Sequence, residues 1–169
     1  MKSIILLTNK NMKNIFTITI IAGFILFGLN ASSQDVIRQA PCLSPGILQQ
    51  ADSMKLLLAK QGFMVVKEAS MKMVSEYEMP VIVPLTEGSW YQFVFIGDVT
   101  SKLYEVRMYD WDEKQVAYQK KQWGDVDGNV ISYSYIPKLS EYHMMKPVQV
   151  NKGKKNLCGY VMLLKKVKQ

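Results

Sequence analysis

From Phe63 onward the sequence falls into short stretches that alternate apolar and polar residues, and each stretch stops at a turn signal. That period of two is the strongest constraint on the fold, because successive side chains of an extended strand point to opposite faces. In "SWYQFVFIG" (89–97), Tyr91, Phe93 and Phe95 share one face and Gln92, Val94 and Ile96 the other. In "KLYEVRMY" (102–109), Tyr104, Val106 and Met108 point inward, Glu105 and Arg107 outward. In "NVISYSYIP" (129–137), Ile131, Tyr133 and Tyr135 alternate with Ser132 and Ser134. Further stretches cover 63–69, 71–77, 80–85, 114–122, 142–150 and 157–167. Residues 114–122 are polar and lysine-rich, as an edge strand would be, and Pro147 pushes 142–150 to an edge or a bulge. Residues 157–167 are apolar on both faces, as in a central strand. Seven to nine short strands, with turns such as Gly97-Asp98 and Asp127-Gly128-Asn129 between them, predict an all-β chain: an antiparallel, jelly-roll-like β-sandwich.

One helix precedes the strands. Ser44 is placed to cap it, Pro45 fits its first position, and Leu43 can pack on Leu48. Ile47, Leu48, Ala51, Met54 and Leu58 recur at helical spacing, and Gly62 supplies the stop, which predicts an N-terminal helix over 45–61 with one apolar face.

The start of the chain reads as an address. Met12-Lys13-Asn14 is a short basic region, 15–29 is an apolar run of 15 residues, and Ala31-Ser32-Ser33 offers small residues before Gln34. That is the pattern of a cleaved signal peptide, and the run falls short of the roughly 20 residues that cross a bilayer as a helix. The expected division is a signal peptide over 1–33 and a single β-sandwich domain with its helix over 34–169, with no membrane span after cleavage. The mature chain is then exported, to the periplasm or the extracellular space. In an oxidising compartment Cys42 and Cys158 pair most simply with each other, whereas buried free thiols would suit a reducing one. Cleavage removes three lysines and leaves 18 basic against 14 acidic residues, so the formal +7 falls to +4. The C-terminal lysines read as solubility and edge protection, and nucleic acid is not an expected partner.

Over residues 90–167 the order "WYQFVFIGD", "LYEVRMYD", "ISYSYIPKLSEYHMMKPVQV" and "CGYVMLLKK" resembles the bacterial pre-peptidase C-terminal domain and related exported jelly rolls. There an aromatic strand, a short strand ending in Asp, a Tyr-x-Pro element and a closing strand follow one another. This chain departs where it has Glu141-Tyr142 in place of Gly before Tyr, and in its N-terminal helix. The resemblance implies a non-catalytic accessory module, some of whose relatives bind calcium or glycans.

Asp98, Asp110, Trp111 and Asp112 crowd strand ends, and so do Asp125 and Asp127. Asp125-Val126-Asp127-Gly128-Asn129 offers the oxygen-rich start of a calcium loop. Its twelfth position is Ile136, however, where such a loop needs a bidentate carboxylate. Asp-Gly is also a strong hairpin-turn pair, so the turn reading comes first and Asp125 and Asp127 remain as calcium candidates. Trp111 and Trp123 stand near turns among charged residues and are the predicted binding aromatics, because exposed rings stack on sugars or anchor protein partners.

The catalytic inventory is thin. His143 is the only histidine, read as a strand residue with a half-exposed ring, and it excludes a multi-histidine zinc site. With Ser140 three residues away it does not make a triad unaided. No Gly-rich phosphate loop is present and no cofactor is implied. The sequence therefore points to an exported, non-catalytic binding or structural module of the cell envelope, with an unidentified envelope protein or glycan as its partner. The alternatives are a carboxylate-dependent enzyme acting on polysaccharide and an envelope assembly or chaperone-like factor.

Overall fold

The computed structural model describes residues 40–122, 125 and 128–167. Residues 1–33, expected to be a signal peptide, and Trp123 and Asp127 lie outside them. In chain order the elements are α1 (Pro45–Lys60), β1 (Phe63–Val74), β2 (Val81–Leu85), β3 (Tyr91–Ile96), β4 (Leu103–Tyr109), β5 (Gln115–Gln122), β6 (Val130–Tyr135), β7 (Glu141–Val150) and β8 (Asn156–Lys166).

Strands pair from the two ends of this series inward: β1 with β8, β2 with β7, β3 with β6 and β4 with β5. Pairing of β3 with β8 and of β4 with β7 completes two four-stranded antiparallel sheets, β1-β8-β3-β6 and β2-β7-β4-β5. A long ribbon folded over on itself in this way is the double Greek key of a jelly roll. The all-β sandwich with one N-terminal helix is therefore the fold.

The alternation sets the core. Met71, Tyr91, Phe93, Phe95, Val161 and Leu163 from the first sheet meet Val83, Tyr104, Val106, Met108 and Met145 from the second, all buried. Gly159 belongs to this inner layer: a Cβ there would lie 2.5 Å from Met73 Sδ and 3.2 Å from a Phe95 ring carbon, so a larger residue would have to displace the Met73 thioether and crowd the Phe95 ring. A second apolar layer lies on the outer face of the first sheet, where Ile47, Ala51 and Leu58 of α1 cover Val94, Ile96, Met162 and Leu164. This explains why β8 is apolar on both faces: one side meets the opposite sheet and the other the helix. Lys55 of α1 pairs with Glu68 at 2.7 Å, and the Tyr160 hydroxyl donates to the same carboxylate oxygen at 2.6 Å. The hydrogen bond from Lys55, then that from Tyr160, hold Glu68 below the ordinary carboxylate range.

Several local expectations need correction. Residues 63–69 and 71–77 are not two strands; β1 runs through Ser70, opposite Tyr160, with a register slip between Val65 and Lys67. Ser70 does not interrupt the strand because its hydroxyl serves the segment before α1, donating to the Cys42 carbonyl and accepting from Cys42 N at 3.1 Å. Ser44 has extended backbone but makes no side-chain cap, and Leu43 is 77% exposed, so it does not pack on Leu48 as a staple. The helix stops as expected, with Gly62 at φ +81°.

Pro147 lies in β7, which is an inner strand and not an edge. The Pro147 carbonyl accepts from Met79 N at 3.0 Å, so its peptide faces the side of β2, whose ladder begins only at Val81. The missing N–H thus falls where no ladder bond is due.

Cys42 and Cys158 form the expected disulfide, with Cα atoms 5.5 Å apart and a sequence separation of 116. It fixes the segment before α1 to β8, and Lys72 N donates to Ala40 O at 2.8 Å beside it.

Candidate functional site

The β4–β5 hairpin is built by Asp110. Its backbone N–H donates to Lys114 O at 3.0 Å, its carboxylate accepts from Lys114 N at 2.8 Å, and its carbonyl accepts from Glu113 N at 3.2 Å. Glu113 adopts φ +59°, the left-handed turn position that an L residue seldom takes. Asp110, Trp111, Asp112 and Glu113 are therefore turn residues, as their composition indicated. The turn nevertheless has a consequence for Trp111, which it leaves 69% exposed.

Trp111 does not stand alone. Odd-numbered residues at the start of β7 point into the core and even-numbered ones outward, which brings Tyr142 to the surface at 54% exposure. The two ring centroids are 6.3 Å apart with planes tilted by 47°. A hollow of about 230 Å³ lies against them, walled by Ile82, Asp110, Glu113 and Met144. A neighbouring hollow of about 400 Å³ shares Asp110 and runs toward Ile136, Lys138 and Leu139 of the β6–β7 loop.

The outer face of the second sheet continues from this shelf as alternating rings and charges. Tyr109 is opposite Met144, with the Lys146 ammonium 5.0 Å above its ring. Glu78 accepts from Arg107 at 3.1 Å and pairs with Lys146 at 3.2 Å, while Arg107 also pairs with Glu105. These carboxylates are neutralised by fixed cations.

His143 is not half-exposed; its ring is 1% exposed, because it takes the inward position next to Tyr142. Its Nε2 is 3.2 Å from the Tyr135 hydroxyl and its Nδ1 3.4 Å from the Glu141 carbonyl. Burial, and then the negative charges of Asp110 and Glu141, push the Tyr135 hydroxyl above its ordinary range. Ser140 instead accepts from Glu87 N at 2.9 Å through its hydroxyl and staples two loops together.

Asp98 belongs to the opposite end of the sandwich. Its carboxylate accepts from Thr100 N at 3.1 Å and Thr100 Oγ1 at 2.7 Å, and pairs with Lys154 at 2.7 Å. Burial would raise its pKa, but the bonds from Lys154 and Thr100 outweigh that and hold it below the ordinary value. Beside it the buried Gln149 accepts from Asp98 N at 2.8 Å and Ser101 Oγ at 3.1 Å, and donates to Cys158 O at 2.9 Å. A satisfied polar network closes the core at this end, while Tyr77 and Val99 stay exposed on its turns.

The structure thus separates Asp98 from Asp110, Trp111 and Asp112. Asp125 closes a turn, its carboxylate accepting from Gln122 N at 2.7 Å. Among the described residues no group of three or more Asp, Glu, His or Cys side chains is placed to hold a metal ion. Trp123 lies outside the described residues; Gln122, just before it, pairs with Leu103 at the end of β5 away from Trp111. The partner that sequence reasoning missed is Tyr142. Its signal was the alternation of "EYHMMK", read with the phase that places His143 inside.

No family model matches this chain, so the resemblance to the pre-peptidase C-terminal domain gains no support from one. No curated protein matches either. Comparison with solved structures returns partial likenesses. The structure described as "CBM4 structure and function" is 12% identical, with 62% of this chain and 79% of that chain covered at a TM-score of 0.41. The K1 cleaved adhesin domain of Lys-gingipain from Porphyromonas gingivalis W83 is 11% identical, covering 60% and 75% at 0.39. TmCBM61 in complex with beta-1,4-galactotriose is 13% identical, covering 63% and 84% at 0.35. At this distance the likenesses assign no ligand and no role. Among the described residues no helix is long and apolar enough to cross a membrane.

Proposed function

We propose that this chain is an exported, non-catalytic binding module that holds a glycan on the shelf formed by Trp111 and Tyr142. The observation that carries the reading is the pairing of two exposed rings at 6.3 Å over a hollow edged by Asp110 and Glu113. Sugar rings present C–H faces that stack on aromatic planes, and their hydroxyls donate to carboxylates at the margin. The carboxylates along the rest of this face favour binding over hydrolysis. Glu78 and Glu105 are neutralised by Arg107 and Lys146, and Asp110 is engaged by its own turn.

Isothermal titration against a panel of soluble plant and bacterial oligosaccharides tests the reading. Trp111→Ala should weaken the best ligand by about 1–3 kcal/mol, roughly 5- to 150-fold, as for a hot-spot aromatic. The folding midpoint should hardly change, because the ring is 69% exposed. Unchanged glycan affinity in Trp111→Ala removes the shelf from consideration. Turnover of a polysaccharide that disappears on replacing a carboxylate of this face would make the chain an enzyme instead.

A further inference from the structure

A second hollow, of about 550 Å³, opens at the head of the first sheet on its β1 side, walled by Met64, Val66, Trp90, Val167, Lys165 and Lys166. The backbone explains how it arises. β1 is an edge strand, and the register slip between Val65 and Lys67 leaves Val66 without a partner on β8. Met64, Val66, Trp90 and Val167 are all exposed, an unusual concentration of large apolar side chains at a strand edge. Trp90 is held in place by its carbonyl, which accepts from Lys166 N at 2.8 Å, and by Phe63, whose ring meets it edge-on at 5.8 Å.

The lysines give the hollow its sign. The Lys166 ammonium lies 4.6 Å from the Trp90 ring centre and 5.1 Å from that of Phe63, and the Lys165 ammonium lies 5.7 Å from the Tyr91 ring. Among the described residues neither ammonium has a carboxylate partner. An ammonium over a ring still offers its N–H donors on the side away from the ring. An apolar wall with two uncompensated cations at its rim matches an anionic head on an apolar tail. A neutral sugar would leave the methyl and thioether groups of Val66, Val167 and Met64 without suitable contact. The volume falls within the roughly 300–1,000 Å³ of small-molecule sites.

We infer that this hollow binds a long-chain carboxylate, with its head on Lys165 and Lys166 and its chain along Met64, Val66 and Trp90. The site is independent of the Trp111–Tyr142 shelf. The test is calorimetric titration of the mature protein with dodecanoate below its micellar concentration, alongside dodecyltrimethylammonium (same tail, opposite head) and acetate (same head, no tail). Dodecanoate should bind at least about 10-fold more tightly than either control, a difference of about 1.4 kcal/mol. The double variant Lys165→Gln/Lys166→Gln should lose about 10-fold in dodecanoate affinity, with no loss toward dodecyltrimethylammonium. Val66→Ser, at an exposed position and without added charge, should also weaken dodecanoate and so reports on the tail without relying on a Trp90 variant, whose ring supports Phe63. Equal binding of the two amphiphiles, equal binding of acetate, or full dodecanoate affinity in the double lysine variant overturns the proposal.

Discussion

Reducing the Cys42–Cys158 bond should cost this protein a large part of its stability through the unfolded chain. The bond closes a loop across a sequence separation of 116. In the chain-entropy account a loop of that length restricts the unfolded ensemble by about 5 kcal/mol at 25 °C, of which roughly 2–4 kcal/mol is commonly realised. Folded proteins of this size are stable by only about 5–15 kcal/mol, so the loss is a substantial fraction. The native contacts around the bond should survive it. Ser70 still engages both backbone groups of Cys42, Lys72 N still donates to Ala40 O, and α1 keeps its apolar contacts with Val94, Ile96 and Met162. The assay is urea unfolding of the same protein, oxidised and reduced, with amide hydrogen exchange in both forms. With a urea slope near 2 kcal/mol per molar, the midpoint should fall by about 1–2 M, and the slope itself should rise as the unlinked chain expands further. Exchange in residues 45–60 should speed up only as far as global stability falls. A midpoint that moves by less than about 0.5 M with an unchanged slope refutes the unfolded-chain account. Loss of protection in α1 alone, with the sheets keeping theirs, refutes it differently, because the bond would then act as a local tether.

Asp98 supplies a stability contribution with a definite pH sign. Its folded pKa is lowered, so the contribution is fully present above the unfolded value and is lost as pH falls through the folded one. Wild type should therefore lose stability below about pH 4 more steeply than Asp98→Asn, and Asp98→Ala should cost roughly 2–3 kcal/mol at neutral pH in urea titrations; parallel acid profiles for wild type and Asp98→Asn would show that the carboxylate contributes nothing. Cleavage before Gln34 is checked by intact mass of the protein recovered outside the cytoplasm: a mass starting at Gln34 is expected from Ala31 and Ser33, and retention of 15–29 would make the chain membrane-anchored.

How far the sequence can be read depends on whether a residue's fate is decided locally or by its neighbours. The strand faces were readable because alternation is local: Tyr91, Phe93 and Phe95 turn inward as their spacing requires, and β8 is central because both its faces are apolar. Ser70, Pro147 and His143 were misread for one shared reason. Each depends on what lies across from it. Ser70 is satisfied by Cys42, Pro147 is tolerated because β2 has not yet begun, and His143 takes its phase from the inward run that continues through Met145, Pro147 and Gln149. Binding surfaces are of the second kind. The exposure of Trp111 was legible from its charged neighbours, but Tyr142 reaches it only through the β4–β7 register, which places Tyr109 opposite Met144. The hollow at Trp90 arises from a bulge that no residue type announces.

The two ends of the sandwich differ in a way that follows from the same logic. At one end Gln149, Asp98, Thr100 and Lys154 satisfy one another and close the core with polar groups. At the other, the β2–β3 and β6–β7 loops are joined by Gly88 N donating to Pro137 O and by Glu87 N donating to Ser140 Oγ. That end carries Trp90, Trp111, Ile136, Leu139 and Tyr142, all exposed. Buried polar networks hold one arrangement rigidly, whereas exposed rings on stapled loops gain most when something covers them. Both proposed ligands, the glycan at Trp111 and the long-chain carboxylate at Trp90, are therefore assigned to the end that carries these rings.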